Sequence, residues 1–134
     1  MIKTAVIATL IAITFCPGAM AANVDLIQIN FDDESCPTGV VNDDDRCPEP
    51  APGRACRRPG QQIIWQAAPG PNRPQFTIQP KGDNPIVGCS LTSNQGATLN
   101  CRIDDNATPG TIYEYGIANT AIGCPLDPHI FISR

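Results

Sequence analysis

The sequence is poor in the side chains that most often carry enzyme chemistry. Its 134 residues include 1 histidine, 1 tryptophan and 2 tyrosines, and charged residues make up 16% of the chain. It contains neither a Gly-x-Ser-x-Gly turn nor a glycine loop of the kind that binds phosphate. Any Ser-His-acid or Cys-His arrangement would have to use His129, which we interpret as an ordinary histidine at the edge of a strand. We therefore expect no enzyme.

Basic residues are also scarce. The chain has 9 Lys and Arg against 13 Asp and Glu, which gives a formal net charge of −4 at pH 7. Proteins that bind nucleic acid neutralise its phosphates with clustered Lys and Arg. We therefore expect no nucleic-acid partner.

The N-terminal segment is typical of a secretory signal. A lysine at position 3 supplies a positive start, residues 4–15 form an almost unbroken apolar run, and Ala19-Met20-Ala21 is a small-x-small cleavage site. We expect residues 1–21 to form a signal helix that is removed on export, and residues 22–134 to form a single domain. No later run reaches the roughly 20 apolar residues that a membrane helix needs. The sequence thus predicts a secreted or periplasmic protein without a membrane span.

Six cysteines remain after the signal, which contains Cys16, is removed. An even number in an exported domain indicates disulfides rather than a metal site, because the chain has no Cys-x-x-Cys pair. The segment from Cys89 to Cys101 is predicted to be a hairpin that turns at Asn94-Gln95-Gly96, which places these two cysteines opposite each other. We expect them to form a disulfide. The other four allow three pairings, and all three stay open: Cys36, Cys47, Cys56 and Cys124.

Apolar and polar residues alternate along most of the mature chain, which is the two-residue period of a β-strand. We predict strands near 27–31, 63–67, 76–78, 87–93, 97–103, 112–117 and 130–132. About seven short strands separated by Pro- and Gly-rich turns favour an all-β fold, an antiparallel β-sandwich, which the disulfides would staple.

One long segment does not fit this pattern. Residues 32–60 are polar, contain five prolines and three cysteines, and lack the alternation of a strand. Long structureless loops are uncommon unless they are cross-linked or functional. The segment changes from acidic to basic along its length and ends with three candidate binding residues, Arg54, Arg57 and Arg58. Two interpretations stay open: a disulfide-pinned connector, or a stiff loop that displays Arg54 as a small protease inhibitor does.

Two acidic clusters contain oxygen ligands of the type that calcium prefers. Asp43 and Asp45 belong to the first, and Asp104 and Asp105 to the second. Neither has the spacing of a calcium-binding loop, and Asp104 directly follows a strand, where Asp commonly forms a turn with its own backbone. These four residues are weak calcium candidates, and we expect no cofactor.

The aromatic residues offer a further alternative, because rows of exposed rings can stack on carbohydrate. Trp65, Tyr113 and Tyr115 stand at alternating strand positions, as Phe76 and Phe131 do in their own runs. Alternating aromatic residues are more common in a core, so we expect these side chains to be buried.

Two motifs near the C terminus resemble a known architecture. Pro109-Gly110-Thr111-Ile112-Tyr113-Glu114-Tyr115-Gly116-Ile117 resembles the Pro-Gly-x-Tyr-x-Tyr-x-Cys strand of cupredoxin-type sandwiches. Asp127-Pro128-His129-Ile130-Phe131-Ile132 is similar to the terminal strand of small bacterial exported proteins with that architecture. The resemblance implies a cupredoxin-like or immunoglobulin-like sandwich. It does not imply copper, because Ile117 stands where the family has its Cys ligand and His129 is the only histidine.

These observations favour an exported, non-catalytic interaction or structural module, whose partner the sequence does not define. The alternative is a small protease inhibitor, or a ligand- or calcium-binding domain, that uses the 32–60 loop. An enzyme is the third and least favoured interpretation.

Overall fold

The computed structural model describes residues 26–42, 47, 54–71 and 73–134. The predicted signal and its cleavage site lie outside the described residues, as do the calcium candidates Asp43 and Asp45. Ten strands are present in the described part of the chain: β1 (Leu26–Phe31), β2 (Pro37–Val41), β3 (Arg54–Arg57), β4 (Gln62–Ala67), β5 (Phe76–Lys81), β6 (Ile86–Val87), β7 (Thr98–Ile103), β8 (Ile112–Asn119), β9 (Gly123–Leu126) and β10 (His129–Ile132).

These strands form two sheets. The first has the order β2-β1-β4-β7-β6, and the second has the order β3-β10-β8-β5, with β9 also paired to β8. The strand β8 pairs with β10 along its first half and with β9 along its second. Both sheets are mixed, because β1 runs parallel to β4 and β3 runs parallel to β10. The all-β prediction is confirmed, but the prediction of a purely antiparallel arrangement is wrong.

The prediction that residues 32–60 lack regular structure is also wrong, since β2 and β3 both lie there. Each of these strands is at the end of its sheet's strand order. An edge strand needs a ladder on one side only and tolerates proline, so it need not show the apolar alternation of an interior strand. Pro37 is the first residue of β2.

The core lies between the two sheets and follows the period of the strands. Ile27 and Ile29 of β1 and Ile63 and Trp65 of β4 are fully buried against residues of the second sheet, such as Ile130. Because side chains alternate between the two faces of a strand, the intervening residues face solvent.

Five aromatic residues were predicted to be buried. Trp65, Tyr115 and Phe76 are buried, while Tyr113 and Phe131 are partly buried. The Trp65 Nε1–H donates a hydrogen bond of 3.1 Å to the Tyr115 hydroxyl. The two rings meet edge to face, with centroids 5.7 Å apart. The pair therefore joins the two sheets through both packing and a hydrogen bond.

Raising the pH above about 10 is expected to destabilise the protein through Tyr115. Burial raises the pKa of this hydroxyl well above its usual value, and the hydrogen bond from Trp65 and the charge of Arg57 oppose that shift only in part. The unfolded chain thus loses this proton at a lower pH than the folded chain. The stability that Tyr115 contributes is fully present below the pKa of this residue in the unfolded chain. It falls as the pH rises towards the pKa in the folded chain, by up to about 1.4 kcal/mol per pH unit.

Urea unfolding between about pH 9 and pH 11 measures this loss, with Tyr115→Phe as the control that lacks the titrating group. We expect the wild type to lose stability more steeply than the variant. Equal slopes for the two proteins would contradict the assignment to Tyr115.

The predicted Cys89–Cys101 disulfide is confirmed, but the hairpin around it differs from the prediction. Of the residues that lead into the predicted hairpin, only Ile86 and Val87 pair with β7. Beyond Gly88, which has a φ of +76°, the chain turns to the second sheet. There the Leu91 carbonyl accepts from the Ile78 N–H of β5, and the Ser93 N–H donates to the Phe76 carbonyl. Leu91 therefore does not lie opposite Leu99, because the chain changes sheets between the two cysteines.

The four cysteines left open by the sequence pair as Cys36–Cys124 and Cys47–Cys56. The first disulfide joins the residue before β2, in the first sheet, to β9 in the second. Three intramolecular disulfides are typical of extracellular or periplasmic proteins. In the described residues, no helix has both the length and the apolar composition needed to span a membrane.

Candidate functional site

A row of charged and titratable side chains crosses the second sheet. Four residues stand in register on neighbouring strands, with Arg54 of β3 opposite His129 of β10, His129 opposite Glu114 of β8, and Glu114 opposite Lys81 of β5. Residues that stand opposite one another on neighbouring strands share a face. Since Ile130 next to His129 points into the core, the four side chains lie on the outer face. We call Arg54, His129, Glu114 and Lys81 the charged row.

Two contacts between a basic and an acidic side chain involve members of this row. The Lys81 Nζ lies 2.7 Å from the Asp127 Oδ1, and the His129 Nε2 lies 3.8 Å from the Glu114 Oε1. The side chains in these two contacts are 41% to 65% exposed, namely Lys81, Asp127, His129 and Glu114. Ion pairs with this much exposure contribute about 0–1 kcal/mol each. These side chains therefore interact only weakly with one another and can form contacts with a ligand instead.

An apolar row runs beside the charged row on the same face. Ile112 of β8 stands opposite Phe131 of β10, which stands opposite Cys56 of β3. Ile112 is 46% exposed, and Phe131 is partly buried. The outer face of the second sheet thus offers apolar surface and charges of both signs side by side, on strands rather than on loops.

This arrangement suits binding better than catalysis. The His129–Glu114 pair could transfer a proton, but it stands on an open strand face, where water competes for every hydrogen bond and attenuates the charges. The Cys124 sulfur, five residues before His129, is bonded to Cys36 and supplies neither a thiolate nor a metal ligand. The face therefore presents charges without enclosing a reacting group.

Arg57, one of the three candidate binding residues, does not belong to this face. It stands opposite Ile132, and like that residue it is fully buried. Its Nη1 donates a hydrogen bond of 2.8 Å to the Cys56 carbonyl. The cause is the parity of β3, because Arg54 and Arg57 are three residues apart and so face opposite sides of the strand.

Arg58 is exposed but lies beyond the end of β3, outside the charged row. Sequence analysis did not single out Glu114, although its position between Tyr113 and Tyr115 already placed it on the outer face of a strand. Lys81 is the last residue of β5.

The calcium candidates Asp104 and Asp105 lie away from the row, in the turn after β7. The Asp104 Oδ1 accepts from the Asn106 N–H, and the Asp105 Oδ1 accepts from the Arg102 Nη1 at 3.0 Å. Among the described residues, no group of three His, Cys, Asp or Glu side chains is placed to hold a metal ion. The two carboxylates are explained by the turn and by a local ion pair.

Neither a protein family nor a curated protein matches this chain in sequence. The assignment of a function therefore depends on the geometry described above.

Proposed function

We propose that the protein is an exported, non-catalytic binding module that recognises a protein partner through the outer face of its second sheet. The observation that carries this proposal is the in-register row of Arg54, His129, Glu114 and Lys81 beside the apolar pair Ile112 and Phe131. Apolar surface bordered by charges of both signs is typical of a protein interface, with an apolar centre and a polar rim.

Three contributions to the free energy of association favour binding at this face. The exposed ion pairs give up little when they exchange partners, and burial of Ile112 and Phe131 adds about 25 cal/mol for each Å² of apolar surface removed from water. Strands cross-linked by three disulfides hold these groups in place before binding. Less conformational entropy is then lost on association.

Export is supported by the predicted signal at residues 1–21 and by the three disulfides, which persist in oxidising compartments. The resemblance of residues 109–117 and 127–132 to cupredoxin-type strands supports a cupredoxin-like or immunoglobulin-like sandwich of a small bacterial exported protein. Such sandwiches serve many functions, so the resemblance supports the scaffold and leaves the function to the site.

The protease inhibitor remains a second candidate because of one observation. The disulfide Cys47–Cys56 closes the Pro-rich segment that would present Arg54. Arg54 itself is only half-buried at the start of β3, next to His129. An inhibitor would therefore bind its protease at the β3 edge of the sheet rather than across the face.

Site-specific photo-cross-linking tests the proposed face. The full chain is produced in the secreting cell with benzoylphenylalanine in place of Ile112, and in a matched control in place of Gln62. Gln62 is exposed on β4 of the other sheet. We expect an adduct of defined mass from position 112 and none from position 62. Adding Glu114→Lys should weaken the adduct from position 112, because it reverses a charge in the row.

Adducts that form equally from both positions, or none from position 112, would overturn the proposal. A third variant carries benzoylphenylalanine in place of Arg54. An adduct from this variant in the absence of one from position 112 is the result expected of the inhibitor. Intact mass, with all six mature cysteines oxidised, verifies that each variant is folded before the results are compared.

A further inference from the structure

A second polar site lies at the end of the second sheet, away from the charged row. The strands β3 and β10 are parallel, and Arg57 stands opposite Ile132 at their ends. The Ser133 N–H continues the ladder with a 2.8 Å hydrogen bond to the Arg57 carbonyl. Because parallel strands end on the same side of a sheet, Arg58 after β3 and Ser133 and Arg134 after β10 come together.

These residues line a cavity of about 140 Å³ together with Cys56 and Gln61. A tight turn holds Gln61 there, with Gly60 at a φ of +78°. The Gln61 N–H donates to the Arg58 carbonyl, the Arg58 N–H donates to the Gln61 Oε1 at 2.9 Å, and the Gly60 N–H donates to Ile103 of the other sheet. The backbone of the cavity wall is therefore fixed by hydrogen bonds.

The residues that line the cavity carry hydrogen-bond donors. Arg58 and Arg134 each carry a guanidinium group, and Ser133 carries a hydroxyl. The carbonyl oxygen of the Gln61 side chain is already occupied by the Arg58 N–H, which leaves the donating NH₂ of that amide.

The two arginines are also electrostatically available. Within the part of the chain that the structure describes, neither Arg58 nor Arg134 forms an ion pair. The carboxylate of Asp105 approaches Gly60, but its Oδ1 accepts from Arg102. Two arginines thus line one small cavity in a chain whose net charge is −4.

We propose that this cavity binds a tetrahedral oxyanion, that is, a phosphate or sulfate group. A guanidinium binds such groups through two parallel N–H donors. Two guanidinium groups on residues that follow separate strands can engage different edges of a tetrahedral anion, whereas a planar carboxylate offers one edge. The cavity shares Cys56 with the apolar row, but it uses none of the residues that carry the proposed protein-binding face, so either can fail without the other.

Isothermal titration calorimetry of the full mature chain with inorganic phosphate, and separately with sulfate, tests the site. Ionic strength is held constant with chloride, because screening alone changes the affinity of an exposed site. The variants are Arg58→Gln and Arg134→Gln, and the matched control is Arg73→Gln. Arg73 is an exposed arginine that precedes β5, at the opposite end of the second sheet. Each substitution removes one positive charge.

We expect the wild type and Arg73→Gln to bind phosphate or sulfate equally, and each of the other two variants to lose about tenfold or more in affinity, the effect of one charge-assisted pair. Binding by none of the proteins, or equal binding by all of them, would overturn the proposal. Citrate, which carries planar carboxylates, is titrated in parallel, and tighter binding of citrate than of phosphate would also overturn it. Far-ultraviolet circular dichroism verifies that all variants keep the strand content of the wild type.

Sedimentation with lipid vesicles identifies the source of the phosphate or sulfate group. Sedimentation with phosphatidylglycerol vesicles that is lost in Arg58→Gln, and absent with phosphatidylcholine, supports the site and assigns it to anionic lipid headgroups. Phosphate or sulfate binding without sedimentation supports it equally and assigns it to a free or carbohydrate-borne oxyanion. Sedimentation that persists in both Arg58→Gln and Arg134→Gln would overturn the role of the cavity in lipid binding.

Discussion

Replacing Cys36 and Cys124 together by serine is expected to lower the free energy of unfolding by about 4–5 kcal/mol, which is the largest effect among the disulfides. This bond spans 88 residues, whereas Cys89–Cys101 and Cys47–Cys56 span 12 and 9. On the chain-entropy account, a cross-link restricts the unfolded chain more as the closed loop lengthens, so the two shorter bonds should each contribute about 3 kcal/mol.

The position of the bond adds to its expected effect. It connects the start of β2 in the first sheet to β9 in the second, next to a 2.9 Å hydrogen bond from the Asn119 Nδ2 to the Ser35 carbonyl. Without the disulfide, the edge strand β2 would be held by its ladder with β1, by such polar contacts and by the packing of Val40 against the core. We therefore expect fraying of β2 to accompany the loss of global stability.

Urea unfolding, followed by far-ultraviolet circular dichroism, measures the difference, with the double serine variant of Cys89 and Cys101 as the control. A larger loss in the control, or equal losses in the two variants, would contradict the loop-length argument. Hydrogen exchange of the β2 amides in the Cys36/Cys124 variant measures the fraying separately.

Trp65→Ala is expected to lower the free energy of unfolding by about 3–5 kcal/mol. Trp65 is among the largest fully buried side chains, and its ring fills the space between the two sheets. The substitution leaves a cavity that β4 cannot collapse to fill, because it is paired with β1 on one side and with β7 on the other. It also removes the hydrogen bond to the buried Tyr115 hydroxyl and leaves that group without its donor.

Gln66→Ala is the matched control, because Gln66 is the next residue of the same strand and its side chain lies on the outer face of the sheet. We expect it to change stability by no more than about 0.5 kcal/mol. Trp65 is the only tryptophan, so unfolding must be followed by circular dichroism rather than by tryptophan fluorescence. If Trp65→Ala is already unfolded without urea, Trp65→Phe provides a smaller loss that is still measurable. A loss below about 1 kcal/mol for Trp65→Ala would contradict the central role of this side chain in the core.

Much of the fold was predictable from local pattern. The alternation around Ile27 and Ile29, around Ile63 and Trp65, and around Tyr115 and Ile117 identified strands together with their buried faces, because the two-residue period of side-chain direction is a local property of the backbone. The Cys89–Cys101 disulfide was predictable for the same reason, since its two cysteines are close in sequence and separated by a turn.

The candidate site was predictable only in part. Arg54 was singled out as a binding residue, yet nothing in its own segment indicated that it would stand beside His129, which follows it by 75 positions in the chain. Glu114 and Lys81 complete the row through pairings of β8 with β10 and with β5. Which strands become neighbours depends on the packing of the whole core, and short-range pattern carries no information on it.

Composition and local periodicity thus determined an all-β domain with paired cysteines and buried aromatic residues. The tertiary structure alone decided the parallel pairs β1–β4 and β3–β10, the disulfides Cys36–Cys124 and Cys47–Cys56, and the burial of Arg57. The physical reason is common to all of these. The alternation of side chains along a strand depends on neighbours in sequence. Strand order, cysteine pairing and the choice of which face of an edge strand is buried depend instead on contacts between residues far apart in the chain. Those contacts form only when the two sheets close over their shared core.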